Sequence, residues 1–562
     1  MTDISEAIVE KKREIAKRKR QEYVDAVLNS SSEKKIVVAG PGTGKTYLFK
    51  EILGGKRNTL TLSFVNALVE DLSLELCGIS DVRTLHGFAL KIMGKAVSDM
   101  KVFPELTKVI KEDAKIILGE DIDFEFLFNN RDDESKFIDF YKKRRKYYGH
   151  YGYSDIVFAA VKYFEKNKNT IPKYTQVVID EFQDFNKLEM SLIDLLAEKS
   201  DVLITGDDDQ ALYDFKSASP VHIRERFSND NKDYTPFTLP YCSRCTRVII
   251  EAVNDIIVAA KKAGHLTNRV NKSFLYFDSE EKDKVCDANS KLIYKKCQAS
   301  EIPYHIQKSI EAIANEERKE FTVLVITPFN KQKCNISDAL RNKGFKNVLS
   351  AENRDTREPT LLDGLKLLIE AKGKKCDKCN LGWRIVAKYL LDGNDFNKIL
   401  NKSNEDDSVL FSKLIEEAGN KKEVSKMLTI LRKIKKDGEI EDTEFNEFLK
   451  KICFDPYKMA KDCLKKELVP YEKSYTNPGI KKIPITVTTI PKAKGLDADY
   501  VFIPYFDDRY LIGDKNPITD QKICNFIVAL TRARKKVFLI SSVVNKNPVF
   551  LQWIDDKRIE RL

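Results

Sequence analysis

Lys45 and Thr46 close the stretch KKIVVAGPGTGKTYLFK, Lys34–Lys50, in which an apolar run (Ile36, Val37, Val38) leads through a glycine-rich turn into helix-forming sequence. Glycine permits the φ angles and close approach that let the backbone N–H groups of Gly42, Thr43 and Gly44 converge on a triphosphate. Lys45 would then reach the outer phosphates, and the Thr46 hydroxyl would hold Mg²⁺. The usual phosphate-loop pattern opens on glycine, whereas this loop opens on Ala39 and continues Gly40, Pro41, Gly42, Thr43, Gly44. The retained glycines keep the turn pliable, so a nucleoside triphosphatase is expected.

Further groups fall where such a site needs them. In TQVVIDEFQDFN, Thr175–Asn186, the run Val177–Ile179 ends on adjacent carboxylates. Asp180 could hold the hydrated Mg²⁺ while Glu181 orients and deprotonates the attacking water. An apolar strand ending in Asp-Glu is common, and it gains meaning only downstream of a phosphate loop. DVLITGDDDQALYDFKSAS, Asp201–Ser219, repeats the pattern, with Gln210 available to sense the γ-phosphate and Tyr213 or Phe215 to pack toward a base. Gln21 follows the basic run KKREIAKRKR about one short segment ahead of the loop, and its amide could read the adenine edge with one donor and one acceptor. Phe64, in TLTLSFVNALVEDL, could stack on a base. Asn66, and Thr84 and His86 of RTLHGFALKIM, could bond a nucleic-acid backbone. Each of these taken singly is as readily a core aromatic or a cap.

The segments DEFQD, Asp180–Asp184, and GDDDQ, Gly206–Gln210, resemble signatures of the UvrD/Rep/PcrA-like superfamily 1 helicases. LPYCSRCTRVI, Leu239–Ile249, is similar to that family's L-x-x-N-Y-R-S-x-x-x-I, which places Arg244 on the γ-phosphate-contacting arginine. Ser243 stands where the family has an adenine-stacking tyrosine, with Tyr241 the nearest substitute. ITVTTIPKAKGLDADYVFIPYF, Ile485–Phe506, is similar to T-x-H-x-A-K-G-L-E. There Thr489 and Lys494 would face DNA or relay nucleotide state, Pro491 replaces histidine, and Asp497 takes the place of the acid that meets the ribose. Arg532, in NFIVALTRARKKVFLISS, matches the arginine finger.

The resemblance implies an α/β fold of two RecA-like P-loop NTPase domains with parallel sheets, each carrying a mainly helical insertion. The first core would comprise residues 1–93 and 153–238 around a small insertion at 94–152. The second would comprise 239–349 and 481–562 around an insertion at 350–480. It also implies ATP and Mg²⁺ as cofactors and 3′ to 5′ movement on single-stranded DNA or at a single/double-strand junction. Two other functions stay open: a nucleic-acid-stimulated ATPase serving as a motor or switch within a larger complex, and a scaffold with a vestigial ATPase.

Length and composition agree. With 562 residues, 42% hydrophobic and 33% charged, several cores can be buried. The net charge of +11 suits a polyanionic partner. Tyr141–Tyr153, YKKRRKYYGHYGY, interleaves basic residues with tyrosines in a manner that suits phosphate neutralisation and base stacking, or a solvated amphipathic helix. Eleven scattered cysteines suggest reduced thiols and a cytoplasmic protein. No apolar run is long enough to span a bilayer, so no membrane partner is expected. Two C-x-x-C pairs, Cys242–Cys245 and Cys376–Cys379, could form a zinc site, although incidental thiols fit their wide separation better. No nuclease signature is present, so a nuclease would have to be a separate protein partner.

Overall fold

A computed structural model of the chain describes residues 2–63, 66–211, 219–228, 230–317, 320–345, 347–350, 358–371, 373–417, 483–513, 517–543 and 546–562. Phe64, Tyr213, Phe215 and most of the 350–480 segment lie outside the described residues.

Strand sequences here are near-continuous apolar runs, which suit parallel sheets covered on both faces. The first sheet contains β1 (Lys34–Ala39), β2 (Thr59–Ser63), β3 (Asp81–Thr84), β4 (Gln176–Ile179), β5 (Val202–Gly206) and β6 (Thr235–Leu239). Their order is β3-β2-β4-β5-β1-β6, and every pairing is parallel. Side chains alternate across a strand. Ile36 and Val38 therefore join Leu62, Ile179 and Ile204 in one core, while Val37 and Ala39 join Val178 and Leu203 in the other. The central β1, with Val37 opposite Thr205 on one side and Phe237 on the other, delivers the phosphate loop at its carboxyl end.

A small pair, β7 (Tyr241–Cys242) and β8 (Leu275–Tyr276), leads into the second sheet. That sheet is built from β9 (Leu292–Lys296), β10 (Val323–Thr327), β11 (Val348–Ser350), β12 (Ile485–Thr489), β13 (Ala498–Pro504), β14 (Ala533–Ser541) and β15 (Ile559–Arg561). It is again parallel throughout, in the order β11-β12-β10-β13-β14-β9-β15. Leu324, Ile326, Val501 and Ile503 face one core, and Val323, Val325, Phe502 and Phe538 face the other. The chain is thus α/β with parallel sheets. Among the described residues no helix is long and apolar enough to cross a membrane.

The helical segments hold a correction. Arg144, Tyr141, Tyr147 and Tyr148 do not form an exposed nucleic-acid surface, because all four are buried. They lie on the helix Lys136–Tyr148, whose inner face packs on the helices Asn380–Leu390 and Gly393–Glu405. The fully buried Asp113 carboxylate accepts from Arg144 Nε at 3.1 Å and from Arg384 Nε at 2.9 Å. Arg144 also donates to the Ser403 carbonyl at 3.2 Å, and Asn380 Nδ2 donates to the Tyr147 carbonyl at 3.0 Å. Trp383, Ile385, Leu400 and Phe411 accordingly share one core with Leu106, Ile110 and Ile138. A buried carboxylate left short of a cation is costly. Arg384→Ala is expected to destabilise the fold by about 3–5 kcal/mol, read as a fall in the midpoint of urea unfolding.

Candidate nucleotide site

Gly42 and Gly44 adopt φ angles of 67° and 95°, so the loop turns through left-handed conformations that favour glycine. Gly42 has a second reason to lack a side chain: a Cβ there would lie 2.3 Å from the Cβ of Arg244. Thr43 Oγ1 donates to the Gly40 carbonyl at 2.8 Å and holds the turn closed. Pro41 is buried, and Ala39 points its methyl into the core, so any ligand contact at Ala39 runs through its backbone. Lys45 and Thr46 open the helix Lys45–Leu53, whose N-terminal amides add their dipole to the loop.

Lys45 Nζ donates to Glu181 Oε1 at 2.8 Å and lies 3.9 Å from Asp180 Oδ1. Asp180 also accepts from Thr205 Oγ1 at 3.1 Å and from the Glu181 amide at 3.0 Å. Burial pushes the Asp180 carboxyl up to about 6, against the pull of Lys45. Burial also opposes ionisation of Glu181, but Lys45 and Lys494 outweigh it and hold that carboxyl well below the usual range. Glu181 stands at φ 55°, a left-handed conformation that costs a non-glycine residue energy and aims its side chain at Lys45. Asp180 at the tip of β4 and Thr46, the second residue of the helix after the loop, are hard-oxygen donors of the kind Mg²⁺ takes, and they would hold it here.

Gln183 ties this pair to the next strand. Its Nε2 donates to Glu181 Oε2 at 2.6 Å and its Oε1 accepts from the Asp207 amide at 2.9 Å. Gly206 makes room for it, since a Cβ there would lie 2.4 Å from Gln183 Oε1 and 2.7 Å from Ile223 Cδ1. Gly206→Ala is expected to displace Gln183 and to lower stability by about 1–3 kcal/mol, measurable by denaturant unfolding.

Groups carried by the second sheet meet these. Arg532 Nη2 donates to Gln210 Oε1 at 2.6 Å, while Gln210 Nε2 donates to Asp207 Oδ2 at 2.7 Å. Burial, then the nearby Arg244 charge, lowers the Arg532 guanidinium to about 10. Two cations close enough to repel one another make a place where a polyanion is favoured. Arg244 Nε pairs with Asp497 Oδ2 at 3.1 Å, and Arg534 pairs with the same carboxylate. Asp497 therefore orients an arginine here. Lys494 bridges the sheets. Its side chain is 1% exposed, it lies 2.5 Å from Asp184 Oδ2 and 3.4 Å from Glu181 Oε2, and it donates to the Gln210 carbonyl at 2.7 Å. It thus links the two sheets, as the second of the two roles the resemblance implies, relaying nucleotide state, would need.

Around the mouth of the loop, Gln21 donates to Asp25 Oδ1 at 2.8 Å and accepts from the Tyr47 hydroxyl at 3.4 Å. Tyr47 is 42% exposed. Tyr241 meets Tyr23 edge-on with ring centroids 6.1 Å apart. Arg20 lies over the loop: a Cβ on Gly44 would sit 2.6 Å from its Nη2. Ser243 donates its amide and hydroxyl to the Gly42 carbonyl at 2.9 and 3.1 Å.

The strand-binding candidates divide. Asn66 begins the helix Asn66–Glu75 at the carboxyl end of β2. Thr84 caps the helix that follows it, its Oγ1 accepting from the Gly87 amide at 3.0 Å, which fixes the hydroxyl oxygen in place at the carboxyl end of β3. His86 is partly exposed beside Tyr153, ring centroids 6.3 Å apart, with Nδ1 4.0 Å from Glu189 Oε1. Thr489 ends β12 and is buried. The two C-x-x-C pairs sit in different cores, Cys242 and Cys245 under the second sheet and Cys376 and Cys379 among the helices, so they do not form one zinc site.

The family model for the UvrD/REP helicase N-terminal domain matches residues 125–232, which include the Asp180-Glu181 strand end and Gln210. The chain is similar to UvrD-like helicases over this part of its length. ATP-dependent DNA helicase PcrA of Staphylococcus epidermidis is 23% identical over 274 residues, 40% of this chain and 37% of the relative. DNA helicase II of Haemophilus influenzae is 29% identical over 165 residues, 28% of this chain and 22% of the relative. The chain thus spans between about a fifth and little more than a third of the length of these curated relatives.

Several groups in this site escape sequence reasoning. Asp207, Asp208 and Asp209 converge as a cation site would, yet Lys272 Nζ lies 2.5 Å from Asp207 and 3.0 Å from Asp209, and pairs with Asp208 as well. Arg269 Nε adds a bond to Asp209 at 2.8 Å, and Arg224 Nε one to Asp208 at 3.0 Å. These acids are neutralised internally and steer the Gln210 turn. Nothing in NRVNKS signals that role. Arg20, by contrast, adjoins Gln21 in the basic run and could have been drawn from it.

Proposed function

We propose that this chain is an ATP-dependent DNA translocase or helicase, hydrolysing ATP between its two parallel sheets and moving 3′ to 5′ along single-stranded DNA. The observation that carries the reading is the convergence of Lys45, Asp180, Glu181 and Gln210 from one sheet with Arg244, Lys494 and Arg532 from the other. A triphosphate on the loop draws Lys45 away from Glu181, which frees that carboxylate to orient and deprotonate water. Arg532 and Arg244 stabilise charge developing on the transferring phosphoryl group. Thr46 and Asp180 would hold Mg²⁺, which supplies charge neutralisation across the phosphates.

Nucleotide state reaches the second sheet through Lys494 and Arg532, both of which bond to Gln210, so hydrolysis can open and close the cleft. The adenine lies against Gln21, with Tyr47 as its stacking face, because Ser243 carries no ring. Phe64, Asn66 and His86 hold the DNA strand at the carboxyl ends of the first sheet. Purified chain should hydrolyse ATP faster with single-stranded DNA than with duplex, RNA or no polymer, and should displace a strand from a 3′-tailed duplex. DNA-stimulated hydrolysis without displacement would favour the switch subunit, and absence of any hydrolysis would sink the motor.

A further inference from the structure

No step of nucleotide hydrolysis requires Cys242 or Cys245, yet both sit at its centre. Cys242 supports the phosphate loop from beneath: a Cβ on Gly42 would lie 3.3 Å from Cys242 Sγ. Cys245 Sγ donates to the carbonyl of Thr531, the residue before Arg532, at 3.5 Å. Arg244 lies between the two in sequence and packs on Gly42. The pair immediately precedes the 16-residue helix Arg247–Lys262, whose N-terminus favours negative charge.

Their environments are complementary. Burial opposes a thiolate at Cys242, but the thiol and amide of Cys245, the Arg244 amide and the Lys282 ammonium outweigh it and bring it down to about 6. Cys245 Nα donates to Cys242 Sγ at 3.5 Å, and Lys282 Nζ donates to the Cys242 carbonyl at 3.1 Å. The hydrogen bond to Cys242, then burial, holds Cys245 as a thiol. One sulfur is thus prepared as a nucleophile and the other as its resolving partner. Both are fully buried, and the phosphate loop forms part of the cover over Cys242.

We propose that Cys242 and Cys245 are a redox-active dithiol, converted to a disulfide by a hydroperoxide whenever the phosphate loop lifts away from the turn they share. The Cys242 thiolate attacks one peroxide oxygen, the O–O bond breaks, and hydroxide leaves, giving a sulfenic acid. Cys245 then attacks that sulfur, the S–O bond breaks, and the sulfenic oxygen departs as water with the Cys245 proton. The proton first lost by Cys242 converts the hydroxide to water, so two thiols and one hydrogen peroxide yield one disulfide and two waters. A disulfide brings the sulfurs to about 2.0 Å and pulls Cys245 off the Thr531 carbonyl. Arg244 and the turn before Arg532 move with it. The effect on hydrolysis rests on the function proposed above; the disulfide itself does not.

Reduced full-length chain would be treated with hydrogen peroxide, its remaining thiols alkylated, and its peptides mapped by mass. The expected result is a Cys242–Cys245 disulfide, formed about tenfold more slowly when Mg²⁺-ATP is present at about ten times its Kd. ATP hydrolysis should fall about a hundredfold, as expected for catalytic groups displaced by about 1 Å, and should return on reduction with dithiothreitol. Cys245→Ala should stop at the sulfenic acid, trapped by dimedone at Cys242. Both thiols remaining free after peroxide would overturn the proposal, as would unchanged hydrolysis by the disulfide form or equal loss of activity in Cys242→Ala. A chain inactive before oxidation would count against the ATPase alone, with the peptide map still deciding the dithiol.

Discussion

Lys45→Ala is expected to lower ATP hydrolysis by at least about a thousandfold while leaving the chain folded. Lys45 is the cation nearest both Asp180 and Glu181, and burial, which alone would lower its basicity, is outweighed by Glu181 and Asp180. Removing it takes away the group that would reach the outer phosphates and lets the Asp180 carboxyl, already pushed up to about 6, shift further toward its protonated form. A protonated Asp180 is a poor Mg²⁺ ligand. Steady-state phosphate release, with the urea midpoint as a folding control, measures the effect. A folded variant that still turns over ATP at the parent rate would place hydrolysis elsewhere.

Arg532→Ala should cost about 10³–10⁵ in kcat, with a much smaller change in KM, because in the proposed mechanism its guanidinium would act on charge that develops only during phosphoryl transfer. Arg532 is held by the Val528 carbonyl at 3.1 Å and the Leu496 carbonyl at 3.4 Å as well as by Gln210, so its fork is already aimed before nucleotide arrives. Arg532→Lys should rescue little, since an ammonium cannot reproduce that planar donor set. A KM effect with unchanged kcat would recast Arg532 as a ground-state binding group.

What the sequence reveals of this site depends on how local the signal is. The phosphate loop, the Asp180-Glu181 strand end and the Gln210 turn each show an apolar strand running into a polar tip within about a dozen residues, and the structure places all three at the carboxyl ends of neighbouring strands. Lys494 and Asp497 belong to a recognisable motif, but their burial and partners depend on Asp184 and Arg244, far away in sequence. The same holds for Tyr141–Tyr153, where alternating basic and aromatic residues describe a solvated surface equally well until Asp113 and Arg384 are brought in. Lys272 and Arg269 carry no pattern of their own, and only the fold brings them to the three aspartates.

The helices between Leu361 and Glu417 interrupt the second sheet in sequence, between β11 and β12, yet they share a core with the first insertion and with the first sheet. The polypeptide therefore leaves one lobe, anchors itself in the other around Asp113, and comes back. Such a path acts as a leash: any parting of the two sheets is limited by helices that belong to the chain of one and are packed against the other.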